Sequence, residues 1–106
     1  MKQCKHCKED IGDDARGFQC YTCKNGIARY GMNKIQMQEL ADSQNNTCKL
    51  CKKEVKMFDR RKSNSGYVDH DHATGEVRGI LCHPCNTSLG YIERTGILNE
   101  IEEYLG

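Results

Sequence analysis

Several residue types that usually build or brace a core are scarce in this chain of 106 residues. It has no tryptophan, one proline and two phenylalanines, and only 37% of its residues are hydrophobic. The mean hydropathy is −0.80. A small domain with so thin a core usually needs added cross-links or bound metal. No apolar run approaches ~18 residues and no apolar segment precedes Cys4, so we expect no membrane span and a reducing, cytoplasmic location.

Neither sign of charge predominates, because the net charge is only +1. By itself this value does not predict a nucleic-acid partner, but the charges are unevenly distributed. The segment 49–62 is strongly basic, whereas the last fourteen residues are mostly acidic. A basic segment and an acidic tail can coexist on a DNA-binding protein, although the basic run could also be a solvated loop. The candidate DNA contacts are Lys52, Lys53, Lys56, Arg60, Arg61, Lys62 and, on a later strand, Arg78.

Cysteine, in contrast, is abundant. All eight cysteines fall in Cys-x-x-Cys pairs: Cys4/Cys7, Cys20/Cys23, Cys48/Cys51 and Cys82/Cys85. Repeated x₂ spacing is typical of zinc knuckles, so we predict two structural Zn²⁺ ions, each held by four thiolates. Sequential pairing of the knuckles is the simplest grouping, with a crossed grouping as the alternative. His6 and His83 lie inside knuckle loops, where we expect bystanders rather than ligands.

The remaining pattern predicts an α+β chain. A helix is predicted over 33–43, with Asn33 as its cap, and an irregular loop over 52–66. Strands over 67–72 and 77–81 form a hairpin around a turn at 73–76. A helix then begins at the last knuckle, with Pro84 in its first turn, and a final helix begins near 97. We predict an N-terminal Cys4 module over 1–29 and a second domain over 30–106.

A polar cluster lies between the third and fourth knuckles. The hairpin carries Asp69-His70-Asp71-His72, and Asn86 directly follows the last thiolate. A carboxylate and an amide oxygen can hold one divalent ion, and an imidazole can take the proton of an attacking water. This combination favours a metal-dependent phosphodiester hydrolase. Adjacent residues on a flat strand face opposite sides, so Asp69 and His70 can cooperate only if the hairpin twists or bulges. The alternatives are a polar turn, a helix-capping role for Asn86, and a His72 that only bonds a backbone carbonyl.

The stretch from Val68 to Gly90 resembles the signature of the recombination endonuclease VII family, which belongs to the HNH, or His-Me finger, nucleases with a ββα-metal fold. The resemblance covers roughly residues 30–105. It implies that Asp69 and Asn86 hold a catalytic Mg²⁺ (or Mn²⁺), that His70 is the general base, and that His72 is an accessory group at the phosphate. It also implies structural zinc at Cys48, Cys51, Cys82 and Cys85. This chain has Leu89 where the family's phage enzyme has an acidic residue.

The N-terminal module is similar to that of some rare-cutting HNH restriction endonucleases with two Cys4 zinc sites. The resulting prediction is a DNA endonuclease with a small zinc-stabilised ββα-metal domain and an N-terminal zinc-knuckle module. Its expected partner is DNA, with a homodimer possible, and its expected location is the nucleoid or a phage-infected host cell. A non-catalytic zinc-containing nucleic-acid-binding accessory protein is the alternative, and a protein-interaction module is the third class.

Overall fold

The computed structural model describes residues 2–59 and 64–106, over which the chain has the predicted mixed α+β architecture. The elements follow in the order α1 (Tyr21–Tyr30), α2 (Lys34–Ser43), β1 (Lys56–Met57), β2 (Ser65–His70), β3 (Val77–Cys82), α3 (His83–Thr95) and α4 (Leu98–Leu105). The consecutive β2, β3 and α3 form a ββα unit. No described helix is both long enough and apolar enough to cross a membrane.

The strands form one sheet in the order β1-β2-β3. Strands β2 and β3 are the predicted antiparallel hairpin, although β2 begins and ends two residues earlier than expected. Strand β1 pairs with β2 in parallel. The prediction of an irregular loop over 52–66 missed β1, because a strand of two residues leaves almost no periodic signal.

The hairpin is irregular where the predicted chemistry lies. Asp69 pairs with Gly79 and His70 pairs with Val77, so Arg78 on β3 has no partner residue on β2. Such a β-bulge bends a strand and redirects side chains. The hairpin therefore has a bulge at Asp69 and His70, as we expected it to need if these two neighbouring residues are to cooperate.

Helix caps explain where the helices begin. Asn33 and Gln36 form a capping box at α2, as the predicted cap suggested. The Sγ atom of Cys20 accepts a hydrogen bond from the Cys23 N–H at the start of α1, a helix that the sequence analysis did not predict. At α3 the N-cap residue is Cys82, followed by Pro84 in the first turn. The capping alternative for Asn86 is therefore wrong.

The core lies between α2 and the sheet. Its largest fully buried side chains include Ile80 and Val55, with Met37, Ala41 and Cys48 around them. Strand β2 can pack this closely only through Gly66. A Cβ atom there would lie 2.7 Å from the Met57 Sδ atom and 3.0 Å from the Ile80 Cγ2 atom.

Candidate functional site

The eight thiols form two clusters, and each follows the sequential pairing of knuckles. The sulfur atoms of Cys4, Cys7, Cys20 and Cys23 lie within 4.8 Å of one another, and so do those of Cys48, Cys51, Cys82 and Cys85. The crossed pairing is therefore wrong. Tetrahedral zinc with Zn–S bonds near 2.3 Å separates its sulfurs by about 3.8 Å. The Cys7–Cys20 and Cys51–Cys82 sulfur distances of 3.8 and 3.7 Å are consistent with that geometry.

Backbone hydrogen bonds favour the thiolate at one cysteine of each cluster, whereas burial raises the pKa of Cys23 and Cys85 to about 12. Burial raises the pKa of Cys48, but hydrogen bonds from the backbone of Cys51, Cys82 and Leu50 lower it to about 6. The pKa of Cys4 is likewise lowered to about 6, because backbone hydrogen bonds outweigh its burial. A thiolate is the form that binds zinc. The first cysteine of each cluster is thus electrostatically prepared for a metal ion.

The N-terminal cluster is attached to α2 through Lys34. The Lys34 backbone N–H donates to the Cys23 Sγ atom at 3.3 Å, and its ammonium pairs with Glu9 at 2.8 Å. The His6 ring lies 2.9 Å from the amide nitrogen of Gln19 and is not grouped with the thiols. The predicted boundary between residues 29 and 30 falls one residue before the end of α1.

Two imidazoles lie together beside the bulge. The rings of His70 and His72 are 4.6 Å apart in an edge-on arrangement, and Tyr30 of α1 lies 5.4 Å from the His70 ring. His70 is half-buried, whereas His72 is exposed. Neither imidazole hydrogen-bonds to another residue within 2–59 or 64–106, so the carbonyl-bonded alternative for His72 is not observed. Both rings keep their nitrogens available to a ligand.

The two aspartates of the run have different surroundings. The Asp71 carboxylate accepts hydrogen bonds from the Ala73 N–H at 2.8 Å and the Thr74 N–H at 3.3 Å, which lower its pKa. Asp71 therefore organises the turn. Asp69 is only 8% exposed and faces Arg78. The Asp69 carboxylate is thus bonded to a side chain of β3, whereas that of Asp71 is bonded to the backbone of its own turn.

Arg78 links the hairpin to α3. Its Nε and Nη2 atoms donate to the two Asp69 oxygens at 2.8 and 3.0 Å, and its Nη1 and Nη2 atoms donate to the two Glu93 oxygens, both at 2.9 Å. Arg78, which the sequence placed among the candidate DNA contacts, therefore has two carboxylate partners within the protein. Glu93 was not among the predicted site residues, although it lies seven residues after Asn86 and hence two turns further along one face of α3.

Asn86 lies in the first turn of α3, half-buried, and its amide makes no hydrogen bond to another described residue. Asp69 and Asn86 together offer the oxygen donors that Mg²⁺ prefers. A guanidinium already lies on Asp69, so this carboxylate accommodates positive charge. The donor types of Asp69 and Asn86 therefore fit a divalent ion, which would have to displace Arg78 from Asp69. Leu89 packs partly buried against the core and takes no part in the donor set.

The candidate DNA contacts are only partly visible. Lys52, Lys53 and Lys56 are exposed, and the Lys52 ammonium donates to the Lys49 carbonyl at 2.8 Å. Arg60, Arg61 and Lys62 lie outside the described residues. The DNA-binding role of this basic segment stays a prediction.

Comparison with known proteins gives the family. The family model for recombination endonuclease VII matches residues 24–106, more than three quarters of the chain. The chain belongs to the recombination endonuclease VII family. The match covers the ββα unit, the second thiol cluster and most of α1.

Two phage proteins are similar to this chain. It is 35% identical over 66 residues to the Gene 59 protein of Mycobacterium phage L5, a span of 61% of this chain and 37% of that protein. It is 38% identical over 60 residues to the Gene 59 protein of Mycobacterium phage D29, a span of 57% of this chain and 33% of that protein. The chain thus spans about a third of the length of the curated relatives it matches.

Proposed function

We propose that this protein is a metal-dependent DNA endonuclease of the HNH type. The observation that carries the proposal is the bulged hairpin, on which the imidazoles of His70 and His72 lie 4.6 Å apart and the buried Asp69 directly precedes His70 in β2. Asn86 adds an amide oxygen from the first turn of the following helix. Family membership supports DNA as the substrate, and the donor set supports the metal requirement.

Each side chain then has one role in hydrolysis. His70 takes the proton from the attacking water, because histidine changes protonation state near neutral pH. Tyr30 packs against its ring and restricts its orientation. His72, exposed at the rim, contacts the scissile phosphate. Asp69 and Asn86 would hold the divalent ion, which when bound stabilises the charge that develops on the phosphate and on the leaving oxygen.

The rest of the molecule provides scaffold and DNA contacts. We propose one Zn²⁺ in each thiol cluster, with residues 1–29 as a zinc module and residues 30–106 as the nuclease domain. Phosphate contacts come from Lys52, Lys53, Lys56 and the segment 60–62. Double-strand cutting requires a homodimer, because one ββα unit offers one active centre. The phage relatives favour action in an infected host cell.

The test is cleavage of supercoiled plasmid with Mg²⁺, with Mn²⁺, or with EDTA. The wild type should nick with either ion and stop in EDTA. His70→Ala should lower the rate by ~10²–10⁴-fold, the range expected for loss of a general base, while DNA binding persists. The matched control is His83→Ala, an exposed histidine in the same ββα unit whose ring contacts Tyr67. This control should cleave at the wild-type rate.

Two results would contradict the proposal. Cleavage that survives thorough removal of divalent ions would exclude the metal mechanism. If His70→Ala cleaves normally while His72→Ala is inactive, the roles of the two imidazoles are reversed. Salt-sensitive DNA binding with no cleavage under any ion would leave the non-catalytic accessory protein as the better description.

A further inference from the structure

The bulge in β3 gives one side chain an unusual position. Arg78 is the extra residue between the pairs Asp69–Gly79 and His70–Val77. Bulges recur next to active sites, where they redirect a side chain. Here the redirected guanidinium extends from the hairpin to α3 and is about one third exposed. Its position calls for an explanation beyond sheet geometry.

The guanidinium is bound on two edges. One edge donates to both oxygens of Asp69 at 2.8 and 3.0 Å. The other donates to both oxygens of Glu93, each at 2.9 Å. These bonds raise the pKa of Arg78 and lower that of Glu93. Four of the five donors of the guanidinium are therefore used, and neither Asp69 oxygen is without a cationic partner.

The same two oxygens are those that a divalent ion would need. A metal ion and a guanidinium on one carboxylate repel each other and compete for its lone pairs. Glu93 differs from Asp69, because it lies two helical turns beyond Asn86 and is more exposed, with a side-chain accessibility of 36% against 11%. Glu93 can therefore keep Arg78 when Asp69 is taken by another cation.

We propose that Arg78 is a built-in competitor for the divalent ion at Asp69, and that Glu93 is the positioning residue that retains Arg78 when the ion binds. The proposal rests on the metal site of the proposed function. Without metal, Arg78 pairs with the buried Asp69 carboxylate, because a buried carboxylate without a partner would be costly. With metal, the group of Asp69, Arg78 and Glu93 changes its summed charge from −1 to +1. Metal binding would then make this surface attractive to a phosphate.

The proposal is tested by Mn²⁺ affinity, measured on the full zinc-loaded chain from the electron paramagnetic resonance signal of free Mn²⁺. Arg78→Ala should bind Mn²⁺ about tenfold or more tightly than the wild type, because charge-assisted hydrogen bonds no longer compete for Asp69. Arg78→Lys should lie between, since an ammonium cannot form the bidentate pair. This second variant keeps a positive charge beside Asp69, so it is less prone to unfold than Arg78→Ala. Zinc content and circular dichroism would show whether either variant has lost its fold.

Glu93 is tested by a double-variant cycle. Glu93→Gln alone should weaken Mn²⁺ binding several-fold, because Arg78 loses its second carboxylate and stays on Asp69. In the Arg78→Ala background the same change should alter the affinity by less than about threefold. A further loss of tenfold or more in that background would make Glu93 a direct metal ligand and overturn its assigned role.

The failure of the proposal can be distinguished from the failure of the proposed function. If Arg78→Ala and Arg78→Lys bind Mn²⁺ no more tightly than the wild type, and Asp69→Asn abolishes this binding, the ion is at Asp69 and the competitor role is wrong. If Mn²⁺ binding is the same with and without the Asp69 carboxylate, the metal site itself is wrong, and the proposal falls with it.

Discussion

Gln44 should stabilise the fold far more than its place at the end of a helix suggests. It is the C-cap residue of α2, and its side-chain amide bonds both the N–H and the carbonyl of one residue of β3, as a neighbouring strand would. Its Oε1 atom accepts from the Ile80 N–H at 2.8 Å, and its Nε2 atom donates to the carbonyls of Ile80 and Thr47, both at 3.0 Å. Ile80 is fully buried. Water cannot easily replace these bonds.

The magnitude follows from those three contacts. A hydrogen bond contributes ~1 kcal/mol net, and a buried donor left without a partner costs ~1–3 kcal/mol. We therefore expect Gln44→Ala to lower the free energy of unfolding by about 2–4 kcal/mol. For a domain of about 100 residues this lowers Tm by roughly 10 °C or more. Both should be measured by urea and thermal denaturation at one fixed zinc concentration, because zinc binding contributes to apparent stability.

Gln38→Ala is the matched control. Gln38 also sits on α2 and also donates two hydrogen bonds, to Asp42 at 3.0 Å and to Asn46 at 3.2 Å. Those acceptors are side chains that can turn to water, so this change should cost less than about 1 kcal/mol. The reasoning is refuted if Gln44→Ala and Gln38→Ala destabilise equally.

Three further predictions concern metal, DNA and pH. Elemental analysis should find two zinc ions per chain, and finding one would mean that a thiol cluster is not a site. Replacing Lys53 and Lys56 by Ala should weaken DNA binding and reduce its salt slope by about one unit per phosphate contact, whereas unchanged binding across a salt titration would make them solvated surface. The stability difference between the wild type and Glu93→Gln should be present above pH 4.5 and vanish as the pH falls, since hydrogen bonds from Arg78 place the folded pKa of Glu93 below its ordinary value of 4.5. A difference that persists at pH 2 would contradict this assignment.

The predictability of this fold depended on how local each signal was. The capping box of Asn33 and Gln36 and the proline in the first turn of α3 act within one helical turn, and the helices there were predicted correctly. The paired cysteines identified both thiol clusters for the same reason. Helix α1 has less local signal, because its N-cap is a cysteine and its interior contains Gly26. A Cβ atom on Gly26 would lie 2.6 Å from the Met37 Cε atom of α2, so this glycine reflects tertiary packing.

Most residues of the candidate site could be predicted from the sequence, but the ion pairs that they form could not. The polar run and the asparagine after the last thiolate indicated Asp69, His70 and Asn86 from residue types alone. The partner of Asp69 depends on which residue of β3 bulges and on how α3 crosses the hairpin. Both are set by long-range packing, including the close approach of Lys49 and Gln44 to Gly79. The ion pair between Arg78 and Glu93 therefore became evident only in the three-dimensional structure.

The second thiol cluster and the proposed nuclease site share one backbone segment, so they should fail together. Cys82 ends β3 and caps α3, Cys85 lies in the first turn, and Asn86 follows it. A zinc ion bound at this cluster would fix the start of α3 against the hairpin that carries Asp69. Cys48→Ser should therefore abolish Mn²⁺ binding as well as zinc binding at that cluster.

The N-terminal cluster gives the contrasting case. Among the described residues, it reaches the site through α1 and α2, by Tyr30 against the His70 ring and by Lys34 on the Cys23 sulfur. Cys4→Ser should therefore lower the cleavage rate while leaving Mn²⁺ affinity within about threefold of the wild type, because Asp69 and Asn86 keep their support. Equal loss of Mn²⁺ affinity in both variants would show that the two clusters stabilise one cooperative unit. A wild-type cleavage rate in Cys4→Ser would show that α1 does not orient the imidazole.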